Sequence, residues 1–431
     1  MYPTAAVKFF SLLSLLFFLI HTALGIDVRK DFQKGICPVI EAINNLDELH
    51  LFPDNPQKDS NKTEYPVFPD LVYEFKLAAI DKLSPMDFEF NEYVKKYITI
   101  YSVERREQVS QMLGLAELYF PLFEDLLDKY QLPLELKYLA VVESALNPLA
   151  VSKTGAVGLW QFKINSARMF NLTVNSYIDE RRDPFKSTEA ACQYLHYLYK
   201  IFNDWNLALA AYNTGPGAVR NAIERANGET NFWKIYNLLP EAAQNYVPAF
   251  NAAAYIMNHA KDHGISTIKP LIAHFETDTI LVSKPLSLKA LAEEVNTPIE
   301  LLRFINPVFR YDFVPDLGRQ IPLWLPVEKI SIFLQNEEKI YATPVDTMTY
   351  HDVLSQAGST DNKAKIMYKV KSGDYLHKIA IVYGCTIDDL LIWNPNVNGD
   401  LAVDQLITVW VDKKDLVRLQ ENNNDTLKVK K

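Results

Sequence analysis

The chain has 431 residues, 48% of them apolar and 23% charged, with a net charge of −9. That length accommodates two to four domains and at least one large core. The composition is ordinary globular usage, and the negative balance excludes a nucleic-acid partner recognised through bulk charge.

Residues 1–25 read as a signal peptide. Lys8 precedes an apolar run over 9–20, and the small residues Ala23 and Gly25 follow it. The run is shorter than the ~20 residues that cross a bilayer, so the expectation is an exported protein of the periplasm or cell envelope. A leader left uncleaved would tie it to the membrane. Cys37, Cys192 and Cys385 stand far apart and form no C-x-x-C spacing, so neither a metal site nor a disulfide framework is expected, and no cofactor.

Residues 26–115 read as an N-terminal helical scaffold: apolar positions recur at helical spacing from Phe88 to Leu127, and Glu104-Arg105-Arg106-Glu107 marks a solvated face. The segment from Leu134 to Leu146 reads as a helix whose apolar face carries Leu136, Leu139, Ala140 and Glu143. Asn147-Pro148 should end it, because a residue before proline is pushed out of the α region. Glu143 would then sit in the last turn, where burial and the negative helix end both disfavour its anion. A carboxyl group that keeps its proton near neutrality is what a general acid needs. The competing reading is a helix-end Glu that turns to the surface.

Helical patterns continue over 187–202, 205–212, 217–226 and 246–263. Of only 14 glycines, four fall in two short runs, Gly155–Phe162 and Ala211–Gly217. Each run pairs an aromatic ring with an amide, Trp160 with Gln161 and Tyr212 with Asn213, a combination suited to a pyranose. Taken singly, either run also reads as a helix cap or packing turn.

After His263 the elements shorten. Leu288, Ala292, Ile299, Leu302, Asn306 and Pro307 recur at one fixed offset as Leu376, Ala380, Ile387, Leu390, Asn394 and Pro395, which signals a duplicated module. Residues 329–365 read as a linker and 412–431 as a tail.

In order along the chain stand Glu143-Ser144, Asn147-Pro148 with Ala150 and Ser152, Gly155-Ala156-x-Gly158-Leu159-Trp160-Gln161-Phe162, Ala211-Tyr212-Asn213-x-Gly215-x-Gly217, and Tyr246-Val247-Pro248. This order resembles the family 1 lytic transglycosylases of bacterial cell walls, of the membrane-bound lytic murein transglycosylase D type, from about Tyr119 to Met257. The resemblance implies a mainly α chain with a lysozyme-like catalytic domain over 116–265, cleaving the β-1,4 bond between N-acetylmuramic acid and N-acetylglucosamine. Glu143 falls on the family's catalytic acid. Ser144, Ser152, Gln161, Tyr212, Asn213 and Tyr246 fall on substrate-site positions, and Asp183-Pro184 on a structural turn. No second acid is tied to Glu143 by a motif. That fits the family chemistry, in which one carboxyl group acts as acid and then as base and closes a 1,6-anhydro ring. Lys163 departs from the methionine common after Gln-Phe, and Glu241–Gln244 is looser than the usual motif.

Residues 366–411 resemble a LysM domain, a small β-α-α-β fold that binds N-acetylglucosamine-containing chains. Gly373, Asp374, Asn394 and Pro395 fall on its glycan-site positions, with Tyr375 for the usual threonine and Asp404 for the late glycine. Residues 276–328 resemble a degenerate copy. The expected partner is therefore the peptidoglycan glycan strand, met by a monomer. The alternatives are a goose-type lysozyme-like muramidase that adds water, and a non-catalytic wall-binding protein.

Overall fold

The computed structural model describes residues 38–46, 49, 51–53, 65–175, 177–271, 276–316, 319–345, most of 363–412, and 427–429. The expected leader at 1–25 lies outside the described residues.

The first unit is helical. It comprises α1 (Pro38–Leu46), α2 (Asp70–Asp81), α3 (Glu92–Thr99), α4 (Arg106–Lys129), α5 (Tyr138–Ser144), α6 (Ile164–Met169), α7 (Pro184–Phe202), α8 (Trp205–Thr214), α9 (Pro216–Arg225), α10 (Phe232–Ile235) and α11 (Glu241–His259). Side-chain caps start several of them: Asn91 accepts from the Tyr93 and Val94 amides, Asp183 from Lys186, and Asp204 from Leu207. Asp183-Pro184 is thus an N-cap followed by a first-turn proline, a position that suits proline. On α4 the buried residues Val109, Met112, Ala116, Tyr119, Phe123 and Leu127 recur at three or four and form its core stripe. In α8 the run Trp205–Ala211 is buried on every side, as a central helix must be.

The charged run 104–107 is not simply a solvated face. The Arg106 guanidinium turns inward and donates to the carbonyl oxygens of Ser102 at 2.7 Å, His263 at 2.8 Å and Gly264 at 3.0 Å. Four successive charges look polar in sequence, but a long Arg side chain can bury its stem and bond backbone acceptors.

Two small α+β units follow, so the chain is mainly α with β-α-α-β modules. In the first, β1 (Thr277–Val282) pairs antiparallel with β4 (Ile321–Pro326), and β2 (Leu286–Ser287) with β3 (Phe313–Val314). The helices α12 (Leu288–Glu294) and α13 (Ile299–Ile305) lie between. In the second, β5 (Lys363–Lys369) pairs with β6 (Leu406–Asp412) around α15 (Leu376–Tyr383) and α16 (Ile387–Trp393). The expected linker is corrected in its first part: Val327–Ala342 is helix α14, and its Phe333 and Ile340 are buried in the core of the first module. Its exposed residues mask the apolar spacing. Residues 346–362 lie outside the described residues. The expected tail also contributes β7 (Leu427–Val429), which pairs with β5.

The repeated Asn-Pro is explained by hydrogen bonding. Asn306 Nδ2 donates to the carbonyl oxygens of Leu302 and Trp324, both at 2.9 Å, and its Oδ1 accepts from the Trp324 amide at 2.8 Å. Asn394 repeats the pattern with Leu390 at 2.8 Å and both backbone groups of Thr408 at 2.7 Å. Each Asn fastens the end of the second helix to the last strand. Asn306→Ala should weaken the first module by about 2 kcal/mol, because it leaves backbone groups of a strand unpaired. Amide exchange in β4 reads this out; wild-type exchange there would show that the side chain fastens nothing.

Candidate active site

Glu143 is presented by a short helix with an abrupt end. A 3-10 turn (Leu134–Lys137) feeds α5, and Leu136, Leu139 and Ala140 are fully buried as the spacing predicts. The helix stops at Ser144, earlier than Asn147-Pro148 would require. Ala145 and Leu146 both adopt left-handed backbone, with φ of 52° and 64°. Such conformations cost of order 1 kcal/mol each outside glycine. They persist here because both side chains are fully buried and the Ala145 amide still donates to the Val141 oxygen at 3.0 Å. Glu143 accordingly stands in the last turn, half-buried, and opens into a cleft of about 520 Å³.

Burial raises the Glu143 carboxyl to about 7, the largest of three influences. Two others favour the anion and offset part of it: a hydrogen bond from Tyr246 Oη to Glu143 Oε1, and the charge of Lys163. Tyr246 comes from α11 and is itself buried, with its phenol pushed well above the usual range by burial and by the Glu143 charge. It bonds the Glu143 carboxyl from behind and does not line the cleft, which corrects the expectation of a substrate contact at Tyr246. Lys163 does line the cleft, so the departure at that position bears on the protonation of the acid.

The cleft brings together Glu143, Ser152, Gln161, Tyr212 and Asn213. Ser152 closes its own loop, with Oγ accepting from the Ala156 amide at 3.0 Å. Gln161 has φ 48°, and its Nε2 donates to Gly158 O at 2.9 Å and Ala150 O at 3.3 Å. Tyr212 Oη donates to Trp160 O at 2.8 Å, which locks the end of α8 to the 155–162 loop.

Two further readings need correction. Ser144 does not reach the cleft: it is fully buried, and its Oγ donates to Ala140 O at 3.1 Å and Leu159 O at 2.9 Å. It ties the Glu143 helix to the loop that forms the facing wall. Trp160 cannot stack on a sugar, since it is fully buried with Nε1 donating to Thr188 Oγ1 at 2.8 Å. Trp160 alternates with Gln161, and only one of two neighbours can point outward.

The glycines of the first run are required by geometry. At Gly158, φ is 87° and an added Cβ would lie 1.9 Å from the Arg181 carbonyl oxygen. Gly217, by contrast, has open space around its Cα and sits in the first turn of α9.

Several lining residues carry no sequence signal. Glu41 and Ala42 arrive from α1, Tyr194 from α7 and Ala242 from α11. Glu41 is a second carboxylate at the cleft, anchored by the Lys153 amide, which donates to Oε1 at 2.8 Å. It lies far from Glu143 in the chain, with no motif around it.

In the second module, Gly373 and Pro395 lie outside the described residues. Asp374 and Asn394 are engaged internally: Asp374 Oδ2 accepts from Tyr368 Oη at 2.5 Å and from the Lys371 amide at 2.8 Å. Asn394 likewise takes part in closing the module through its bonds to Leu390 and Thr408.

Comparison with known proteins agrees with this organisation. Residues 122–235 match the Transglycosylase SLT domain, 276–342 the lytic transglycosylase MltD LysM-like domain, and 368–410 the LysM domain. The first C-terminal match ends with α14, in keeping with the corrected linker. The chain is 29% identical over 303 residues to membrane-bound lytic murein transglycosylase D of Escherichia coli K12, covering 69% of this chain and 64% of that relative, just under two thirds of its length. It is 32% identical over 148 residues to the soluble lytic murein transglycosylase of the same strain, covering 32% of this chain and 23% of the other. A solved structure of the 70 kDa soluble lytic transglycosylase of Escherichia coli aligns at 27% identity over 33% of this chain and 24% of that chain, with a TM-score of 0.29. In chain order, then, this protein carries regions that match a transglycosylase SLT domain, an MltD-type LysM-like domain and a LysM domain.

Proposed function

We propose that this protein is a peptidoglycan lytic transglycosylase of the cell envelope, and that Glu143 is its catalytic residue. The observation that carries the reading is one carboxyl group, held protonated near neutrality, opening into a cleft large enough for sugar rings. In the proposed reaction Glu143 protonates the glycosidic oxygen between N-acetylmuramic acid and N-acetylglucosamine, and that bond breaks. The substrate's own acetamido group supports the positive charge at C1, as in substrate-assisted glycosidases. The ionised Glu143 then takes the proton of the C6 hydroxyl as its oxygen bonds C1, so the acid is regenerated and a 1,6-anhydro ring closes. Tyr246 is the positioning partner, while Ser152, Gln161, Tyr212 and Asn213 would contact the sugars.

On this reading 1–25 is the export signal, 26–115 scaffold, 116–265 the catalytic domain, and the two C-terminal modules hold the chain near its substrate. A weak glycan binder tethered to a cleaving domain raises local substrate concentration. Product analysis on purified sacculi tests the chemistry: ring closure yields muropeptide ends lighter by one water than hydrolysis does. Hydrated ends would make the protein a muramidase, and no released ends would leave it a wall-binding protein.

A further inference from the structure

We infer that Arg181 is a positioning residue for the cleft, and that the first C-terminal module braces the cleft wall through the segment that carries it. The inference deepens the catalytic reading above and rests on it for its meaning, though not for its geometry. Arg181 and Asp179 form a buried ion pair, 6% and 5% exposed at their side chains. A guanidinium out of water needs its donors satisfied. Here Nε and Nη2 take the two carboxylate oxygens of Asp179 at 2.9 and 2.7 Å. That leaves Nη1, which donates to Gly155 O at 3.1 Å and Phe162 O at 3.2 Å.

Those two carbonyls stand at the two ends of the loop that presents Ala156 and Gln161 to the cleft. The same loop rests on the Arg181 backbone at Gly158. One residue therefore holds the loop by its side chain at both ends and by its backbone in the middle. A buried ion pair adds little net stability over apolar packing. Its rigid fork, however, fixes where two carbonyls lie.

The other edge of this segment is joined to the first module. The Asp179 amide donates to Val308 O at 2.9 Å, the Arg310 amide to Tyr177 O at 2.9 Å, and Arg310 Nη1 to Asn175 O at 2.8 Å. Phe304 of α13 is buried in the core of the helical domain. The module thus grips Asn175, Tyr177 and Asp179 on one side, while Arg181 grips the cleft loop on the other.

The test uses the full chain with Arg181→Lys, which keeps a positive charge for Asp179 but loses the fork, and Arg310→Ala, a change on the module's exposed side. The readout is amide exchange at Gly158 and Gln161, which donate to Ala150 O and Gly158 O. Both variants should exchange about tenfold faster there, the size expected for losing one charge-assisted bond, with α8 and α11 unchanged. On glycan strands kcat should fall with little change in KM. Unchanged loop exchange in Arg181→Lys overturns the positioning role. Loosening in that variant alone, with Arg310→Ala at wild-type exchange, overturns the module's part. Equal loosening of α8 and α11 in Arg181→Lys would mean that the pair serves the whole domain, and would overturn the positioning role as well. Loop loosening in a protein that cleaves no glycan would sink the catalytic reading and leave this one standing.

Discussion

Glu143→Gln is expected to lower muropeptide release from purified sacculi by about 10²- to 10⁴-fold, the usual worth of a positioned general acid or base. The amide fills the same space and can still accept from Tyr246 Oη, so the cleft should keep its shape. It cannot give a proton to the glycosidic oxygen, and with no acid to be regenerated the second proton transfer is lost as well. Retention of near wild-type digestion would remove Glu143 from the reaction. The thermal midpoint distinguishes a chemical loss from a folding loss, because the variant should be as stable as the parent or more so.

The stability difference between the parent and the Glu143→Gln variant should itself depend on pH. The folded carboxyl titrates near 7 and an unperturbed Glu near 4.5. The folded state thus binds this proton more tightly, and the stability it contributes is complete below pH 4.5 and lost as pH rises through 7. The loss is at most about 3 kcal/mol, since each tenfold change in proton affinity is worth about 1.4 kcal/mol. Glu143→Gln should therefore match the parent at pH 4 and exceed it at pH 8. Equal stabilities at both pH values would mean that the acid is not held out of water. The same titration should set the alkaline limb of kcat/KM near 7, where the acid form gives way to the anion. Tyr246→Phe removes a donor to the carboxylate, so the anion becomes harder to form and that limb should move upward. A limb that stays in place or moves down would deny Tyr246 this part.

The helical character of the first unit, the amphipathic spacing on α4 and α5, and the duplication of the C-terminal modules are legible in the chain, because they are local periodicities. The Asn-Pro repeat is visible too, and its reason lies in Asn306 and Asn394, which each fasten a helix end to a strand by three bonds. Helix α14 escapes such a reading because only a few of its residues meet the module core.

Sequence order by itself determined that an acid would sit in the last turn of an apolar helix, near two glycine-bearing runs. Tertiary structure alone decided which neighbours face it. Ser144 turned inward and Trp160 was swallowed by the core, whereas Glu41 reached the cleft from a helix about a hundred residues away in the chain. Facing is a matter of packing: a side chain's direction depends on the left-handed turn at Ala145 and Leu146, on the tight seat of Gly158 against Arg181, and on which partners close around it. Those contacts join distant segments, and no local pattern encodes them.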